Sequence, residues 1–192
     1  MILEVVKYGH PVLRQKGARI EKVTPDVKKL INDMFETMNA NHGVGLAAQQ
    51  VGQALQVTVS DVREVKDRPS WLEWDGKTVE ANEHMPLVLI NPELKPEGDS
   101  VAGGEGCLSF PEIYAEITRP ESVTVKALDK KGKPIEFRCG GLLARVVQHE
   151  TDHLNGILFI DRMTRKIKEE LRPELDALQA KTKAELAAAI RS

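Results

Sequence analysis

The 192-residue chain reads as an α+β domain. Antiparallel and mixed strands are expected to wrap around one central helix, with a helix near the N-terminus and a helical extension at the C-terminus. Three observations predict this. Short strand-like runs, punctuated by turn residues, fill the middle of the chain. Leu142, Leu143, Val146, Val147 and Leu154 recur at helical spacing. After Asp161 the chain becomes charged and helical.

The first helix begins at Thr24, a good N-cap, with Pro25 at the first helical position. Val27, Leu30, Ile31, Met34, Phe35 and Met38 then share one face. Strands are expected at Gln56–Ser60, Pro86–Ile90, Ser122–Ala127 and Pro134–Arg138. The last two flank Asp129-Lys130-Lys131-Gly132-Lys133, which reads as a hairpin turn. Between the first two lies Arg63 to Met85, charged, holding Pro69, Gly76 and both tryptophans, Trp71 and Trp74. It reads as a surface excursion and a tolerated insertion, rather than a lid or partner surface. Gly140 and Gly141 open the central helix and Gly156 follows its end. The last segment, Arg165 to about Ile190, is expected to begin a second helical stretch at Pro173. One domain is expected, residues 1–164 with 165–192 as its helical extension.

Composition narrows the function. The chain is 41% hydrophobic with a formal net charge of −2. It has no apolar run long enough to cross a membrane. Nothing in that balance points to general nucleic-acid binding. Residues 162–192 carry eight Lys/Arg against five Asp/Glu, hence +3, and the rest of the chain −5. Two cysteines are too few for a disulfide framework, and no secretory or transit-like leader follows Met1. A reducing compartment, most simply a bacterial cytosol, is expected.

The chemistry centres on His149-Glu150-Thr151-Asp152-His153. Residues four apart share a helix face, so both imidazoles can reach one metal ion. Glu150 lies beside them as a general base for metal-assisted hydrolysis. Such polar residues in an apolar helix are costly unless paired or metal-bound. A catalytic metal usually takes three protein ligands. No histidine follows His153, and only His10, His42 and His84 precede the motif. A better candidate is Cys107, within Gly103-Gly104-Glu105-Gly106-Cys107-Leu108-Ser109-Phe110-Pro111, where glycines allow close backbone approach. Cys139, at a strand end, reads as a small buried hydrophobe.

Gly43-Val44-Gly45-Leu46-Ala47-Ala48-Gln49-Gln50 contains a G-x-G-x-x-A pattern. A dinucleotide site needs a strand before it and a helix after it. Here a helix precedes and Gly52 interrupts soon after, so a loop presenting backbone groups and an amide to a substrate fits better.

Together these three segments resemble the peptide deformylases. That family shows a G-x-G-x-A-A-x-Q loop, an E-G-C-L-S segment and a Q-H-E-x-D-H-L helix in this order. Here they read Gly43 to Gln50, Glu105 to Ser109 and Gln148 to Leu154, and Tyr8-Gly9-His10-Pro11-Val12-Leu13-Arg14 is similar to the family's opening. The likeness runs from about Val5 to Arg162.

The resemblance implies that Cys107, His149 and His153 hold the metal. The ion is expected to be iron(II) in vivo, with zinc, nickel or cobalt as replacements; thiolate with imidazole suits iron(II) or zinc. It implies removal of the formyl group from N-terminal formylmethionine of new proteins, with release of formate. Glu150 would take a proton from water and pass it to the leaving amine. Gln50 and the backbone N–H of Leu108 would hold the oxyanion. The backbone of Gly45, and that of Gly104 or Gly106, would pair with an extended peptide. Val44 and Leu142 match positions lining the methionine pocket. Arg145 stands where many relatives carry an apolar residue; its stem is expected to cover the pocket while its head reaches water. Tyr114 stands where some relatives have arginine. Glu105 and Arg119 are expected to pair behind the cysteine, with Gln148 and Asp152 in support.

The implied partners are formylmethionyl peptides and nascent chains. Some relatives dock on the ribosome through a C-terminal helix. Neither membrane nor nucleic acid is expected as a partner. Two rival functions share the motif helix. An H-E-x-x-H metallopeptidase would cut unformylated peptides and use a third ligand other than Cys107. A non-catalytic peptide-binding module would be favoured by loss of Glu150, Gln50 or a ligand, and all are present.

Overall fold

A computed structural model describes all residues, 1–192. Seven strands form one sheet: β1 (Gly45–Ala47), β2 (Val57–Ser60), β3 (Ser70–Trp74), β4 (Lys77–Val79), β5 (Leu87–Cys107), β6 (Phe110–Leu128) and β7 (Pro134–Gly141). Their spatial order is β1-β2-β5-β6-β7-β3-β4, and every neighbouring pair is antiparallel. The parallel pairing is confined to an isolated bridge between Ala18 and Leu55, outside the named strands. The helices are α1 (Pro25–Ala40), α2 (Leu142–Leu154) and α3 (Arg165–Arg191).

The apolar face of α1 turns inward. Ile31, Met34 and Met38 are buried against Leu46 of β1 and Val57 and Val59 of β2. Thr24 caps this helix by accepting from the N–H of Val27 at 3.3 Å. Central α2 is buried at every position except Asp152. Leu142, Leu143, Val146 and Val147 pack with Val123, Val125 and Phe137 of the sheet.

Two strands outrun their sequence signals. β5 and β6 continue far beyond Ile90 and before Ser122 as a long hairpin, registered from Glu105↔Ala115 back to Ile90↔Leu128 with three irregularities. The hairpin delivers Cys107 to the end of a strand, beside α2.

The segment Arg63 to Met85 is more than a surface excursion. Its β3–β4 hairpin joins the sheet next to β7, and Leu72 is fully buried in the core. Trp74 stacks between His84 and Phe137. Pro69 and Ser70 of this segment also cap the start of α2. The N-cap position of α2 is Gly141, which has no side chain to offer. Pro69 O accepts from Leu142 N at 3.0 Å, and Ser70 Oγ from Leu143 N at 2.9 Å. These contacts satisfy donors that every helix start leaves open.

α3 runs without a break through Pro173, against the expected restart there. A proline removes one backbone donor, and tertiary packing outweighs that loss here. Leu175 is buried, and Ile167, Leu171 and Leu178 pack on the same apolar cluster as Phe110 and Phe159.

Candidate active site

The helical spacing of His149 and His153 puts both rings on one face of α2, with centroids 5.1 Å apart. The β5 hairpin brings Cys107 against them. Its Sγ lies 3.4 Å from Nε2 of His153. Ligand atoms from Cys107, His149 and His153 all fall within 4.8 Å of one another.

Behind the histidines stands a buried polar network. Glu105 Oε1 is 2.8 Å from Nδ1 of His149. Arg119 donates to both oxygens of Glu105 at 2.6 and 2.9 Å, and to Asp152 at 2.9 Å. Asp152 in turn accepts from Arg162 at 2.6 and 2.8 Å. Burial alone would push the Glu105 carboxyl up, but the hydrogen bonds from His149 and Arg119 outweigh it and hold it well below the usual carboxylate range. The expected Glu105–Arg119 pair is thus present and extends to Asp152. Gln148 braces the helix differently, donating to Pro120 O at 3.0 Å.

The two imidazoles are pulled in opposite directions. Burial would lower His149, yet Cys107, Glu105 and Glu150 around it raise it well above its ordinary value. Burial and the charge of His149 hold His153 well below its own. The cluster therefore combines a thiol, a ring whose surroundings call for positive charge, and a neutral ring. Nδ1 of His149 faces Glu105, which leaves Nε2 for a metal. That donor set fits one divalent cation.

Glu150 lies on the groove side of α2. Burial pushes its carboxyl up to about 7, and its Oε2 has no hydrogen-bond partner. Its other oxygen lies so close to β1 that a Cβ added to Gly45 would sit 2.6 Å from it. Only glycine fits there. Gln50 is held by Ala47 N, which donates to its Oε1 at 3.0 Å. That bond aims the Gln50 Nε2 at Cys107 Sγ (3.4 Å) and Ser109 Oγ (3.2 Å).

A groove of about 600 Å³ opens onto these groups. It brings together nearly every residue expected from the sequence: Val44 and Gly45, Gly104 and Gly106, and Gln50, Cys107 and Leu108. Leu142, Arg145, His149 and Glu150 come from α2, and Tyr114 from β6. His153 alone lies behind this surface, 1% exposed. Tyr114 is 72% exposed, and its ring covers Gly106 so closely that an added Cβ would come within 2.7 Å.

Arg145 departs from expectation. Its head does not reach water but is buried, donating to Glu105 at 2.8 Å, Ile117 O at 2.8 Å and Val101 O at 2.9 Å. Three acceptors supplied by the β5–β6 hairpin compensate the buried charge, so the side chain ties that hairpin to α2.

Two groups in the site escaped sequence reasoning. Ser109 is fully buried beside Gln50. Arg68 lines the groove and donates to Gly104 O at 3.0 Å. It sits in a charged segment with no motif, where only three-dimensional proximity could single it out.

The comparisons with known proteins agree with this geometry. The polypeptide deformylase family model matches residues 2–169. A peptide deformylase from Opitutus terrae is 42% identical over 186 residues, covering 96% of each chain. Arabidopsis thaliana peptide deformylase 1B, chloroplastic/mitochondrial, is 41% identical over 93% of this chain and 60% of its own length. Among solved structures, plant peptide deformylase PDF1B superposes with a TM-score of 0.81 at 38% identity, covering 95% of this chain and 92% of that one. One from Legionella pneumophila gives 0.78 at 36% identity, over 94% and 96%. A cysteine and two histidines gathered beside a buried glutamate, on a fold and sequence shared along nearly the whole chain, leave one conclusion: this chain belongs to the peptide deformylase family.

Proposed function

We propose that this protein removes the formyl group from N-terminal formylmethionine of newly made polypeptides, with Cys107, His149 and His153 holding one divalent metal. The observation that carries the reading is the buried Glu150 next to the convergent Cys-His-His cluster, on a groove of about 600 Å³. Family membership supports the metal-dependent hydrolase. The thiolate in the donor set supports iron(II) as the working ion, with zinc, nickel or cobalt as substitutes.

The metal supplies a Lewis acid and a water made nucleophilic near neutral pH. The protein does the rest. Glu150, poorly solvated and unpaired at Oε2, takes the proton of the attacking water and returns it to the departing amine. Gln50 Nε2 and the backbone N–H of Leu108 are the donors proposed for the oxyanion. Glu105 fixes the tautomer of His149. Val44, Leu142 and the stem of Arg145 bound the methionine pocket, and Gly45 and Gly106 offer backbone to an extended peptide. Tyr114 overhangs its outer end. The atoms balance: the formyl C–N bond breaks, water divides between formate and the amine, and no redox change occurs.

The decisive experiment measures formate release from a formyl-Met peptide by anaerobically purified, iron-loaded protein beside Glu150→Ala. Rapid release lost in the variant is expected. No release from folded, metal-loaded protein would overturn the reading. Cleavage of unformylated peptides would instead favour the metallopeptidase.

A bacterial cytosol is proposed as the location, because a ligand thiol needs a reducing compartment. No helix is long and apolar enough to cross a membrane. For ribosome contact the far end of α3 is the available surface, since Ile167, Leu171, Leu175 and Leu178 are engaged in packing. Removal of residues 184–192 tests it: unchanged ribosome co-sedimentation would eliminate the contact.

A further inference from the structure

We infer that Arg68 is a specificity-determining residue, selecting acidic side chains downstream of the formylmethionine; the inference rests on the deformylase reading above. One side of β5 pairs with β6, where Gly104 is registered with Glu116 and Gly106 with Tyr114. The carbonyl of Gly104 is already taken by Arg68, which donates to it at 3.0 Å. An extended peptide lying in the groove can therefore use Gly106 for backbone pairing but meets a guanidinium, not a free carbonyl, at Gly104. This alters the expectation that either glycine would serve.

The guanidinium at that point is unspent. Arginine carries five N–H donors, and one hydrogen bond is made here. No carboxylate oxygen of the chain lies within 4.0 Å of its nitrogens. The other cations around the groove are differently engaged. Arg145 is buried among three acceptors, including Glu105. Lys7 folds back onto Val5 O at 2.8 Å. Arg68 is half-buried rather than free in solvent, and the bond to Gly104 holds its head at the rim of the groove. A planar fork with open donors, held there without a counter-ion, matches a carboxylate bidentately and repels an ammonium.

The opposite charge elsewhere in the groove does not cancel this. Glu112 lines it too, but it belongs to β6 beyond Phe110 and forms no ion pair with Arg68. The position read by Arg68 is one of the residues after the methionine, because the methionine pocket proposed above is bounded instead by Val44, Leu142 and the stem of Arg145.

The test is a set of formyl-Met peptides carrying Asp or Lys at each of the three positions after methionine. Each is assayed for kcat/KM with the wild type, R68K, R68Q and R68E. Ratios within one variant cancel differences in the amount of active enzyme. At one position the wild type should favour Asp over Lys by roughly three- to tenfold, the range of a partly exposed ion pair. The difference should appear in KM and shrink in high salt. R68K should retain part of the preference, R68Q should abolish it and R68E should invert it. A wild-type ratio near one at every position, or a preference that survives in R68Q, overturns the inference. Formyl-Met-Ala turnover by the wild type separately reports whether the deformylase reading stands.

Discussion

Glu105 Oε1 lies 2.8 Å from Nδ1 of His149, and the same carboxylate is gripped by Arg119 and Arg145. An ionised carboxylate only accepts, so the His149 proton sits on Nδ1. Glu105→Gln should keep the packing but blur that choice. We expect metal affinity to fall by about 10- to 100-fold, measured by competition with a chelator. Glu105→Ala should be harsher, costing about 3–5 kcal/mol in denaturant unfolding, because two buried guanidinium groups lose the carboxylate they share.

The same carboxylate sets an acid limit on stability. Its folded value is depressed, so its contribution is complete above about pH 4.3, the unfolded value. It is lost as the pH falls below that towards the folded value. The gap in melting temperature between wild type and E105Q should therefore be constant near neutrality and narrow in acid. A gap independent of pH down to 3 would contradict this.

Glu150 has the opposite sign. Burial raises its carboxyl to about 7. In protein stripped of metal by a chelator, its favourable contribution is present below about pH 4.3 and is lost as the pH rises through about 7. Melts of the stripped protein should fall across that window for the wild type and stay flatter for Glu150→Gln. With metal restored, E150Q should bind the ion normally yet deformylate roughly 100- to 10,000-fold more slowly.

Gly45→Ala places a methyl only 2.6 Å from Glu150 Oε1. One of the two must move. Displacing a proton carrier by about 1 Å can cost on the order of a hundredfold. We expect kcat to drop by that order while metal content, read by elemental analysis, is unchanged. Full activity in G45A would show that the glycine is dispensable.

Ser70→Ala removes the only side chain that caps the start of α2. A lost N-cap costs about 0.5–2 kcal/mol, so the denaturant midpoint should fall without a change in slope. Unaltered stability would mean that Pro69 O suffices.

Much of the site was legible because its chemistry is local in sequence. The i, i+4 histidines, the glycine-flanked cysteine and the apolar spacing of α2 all lie within short windows. Thr24 and Pro25 marked the start of α1 for the same reason. What the sequence hid depends on distant partners. β1 is three residues of a glycine loop, too short to show alternation. The outer part of β5 alternates little, because Lys95 to Val101 is largely solvent-facing and no core imposes a period. Arg145 looked like a side chain bound for water, since its acceptors at Val101, Glu105 and Ile117 lie 28 to 44 residues away. β3 was masked by the charge of its surroundings, although Leu72 is core.

Cys139 is fully buried, and that burial pushes its thiol up to about 12, while Cys107 is half-buried at the groove. The chain thus carries one alkylatable sulfur, and it is the one proposed to bind the ion. A single equivalent of maleimide should react in chelated protein and none in fully loaded protein. The mass shift in a mixed sample then counts empty sites molecule by molecule, giving an occupancy scale that needs neither substrate nor knowledge of which metal is present.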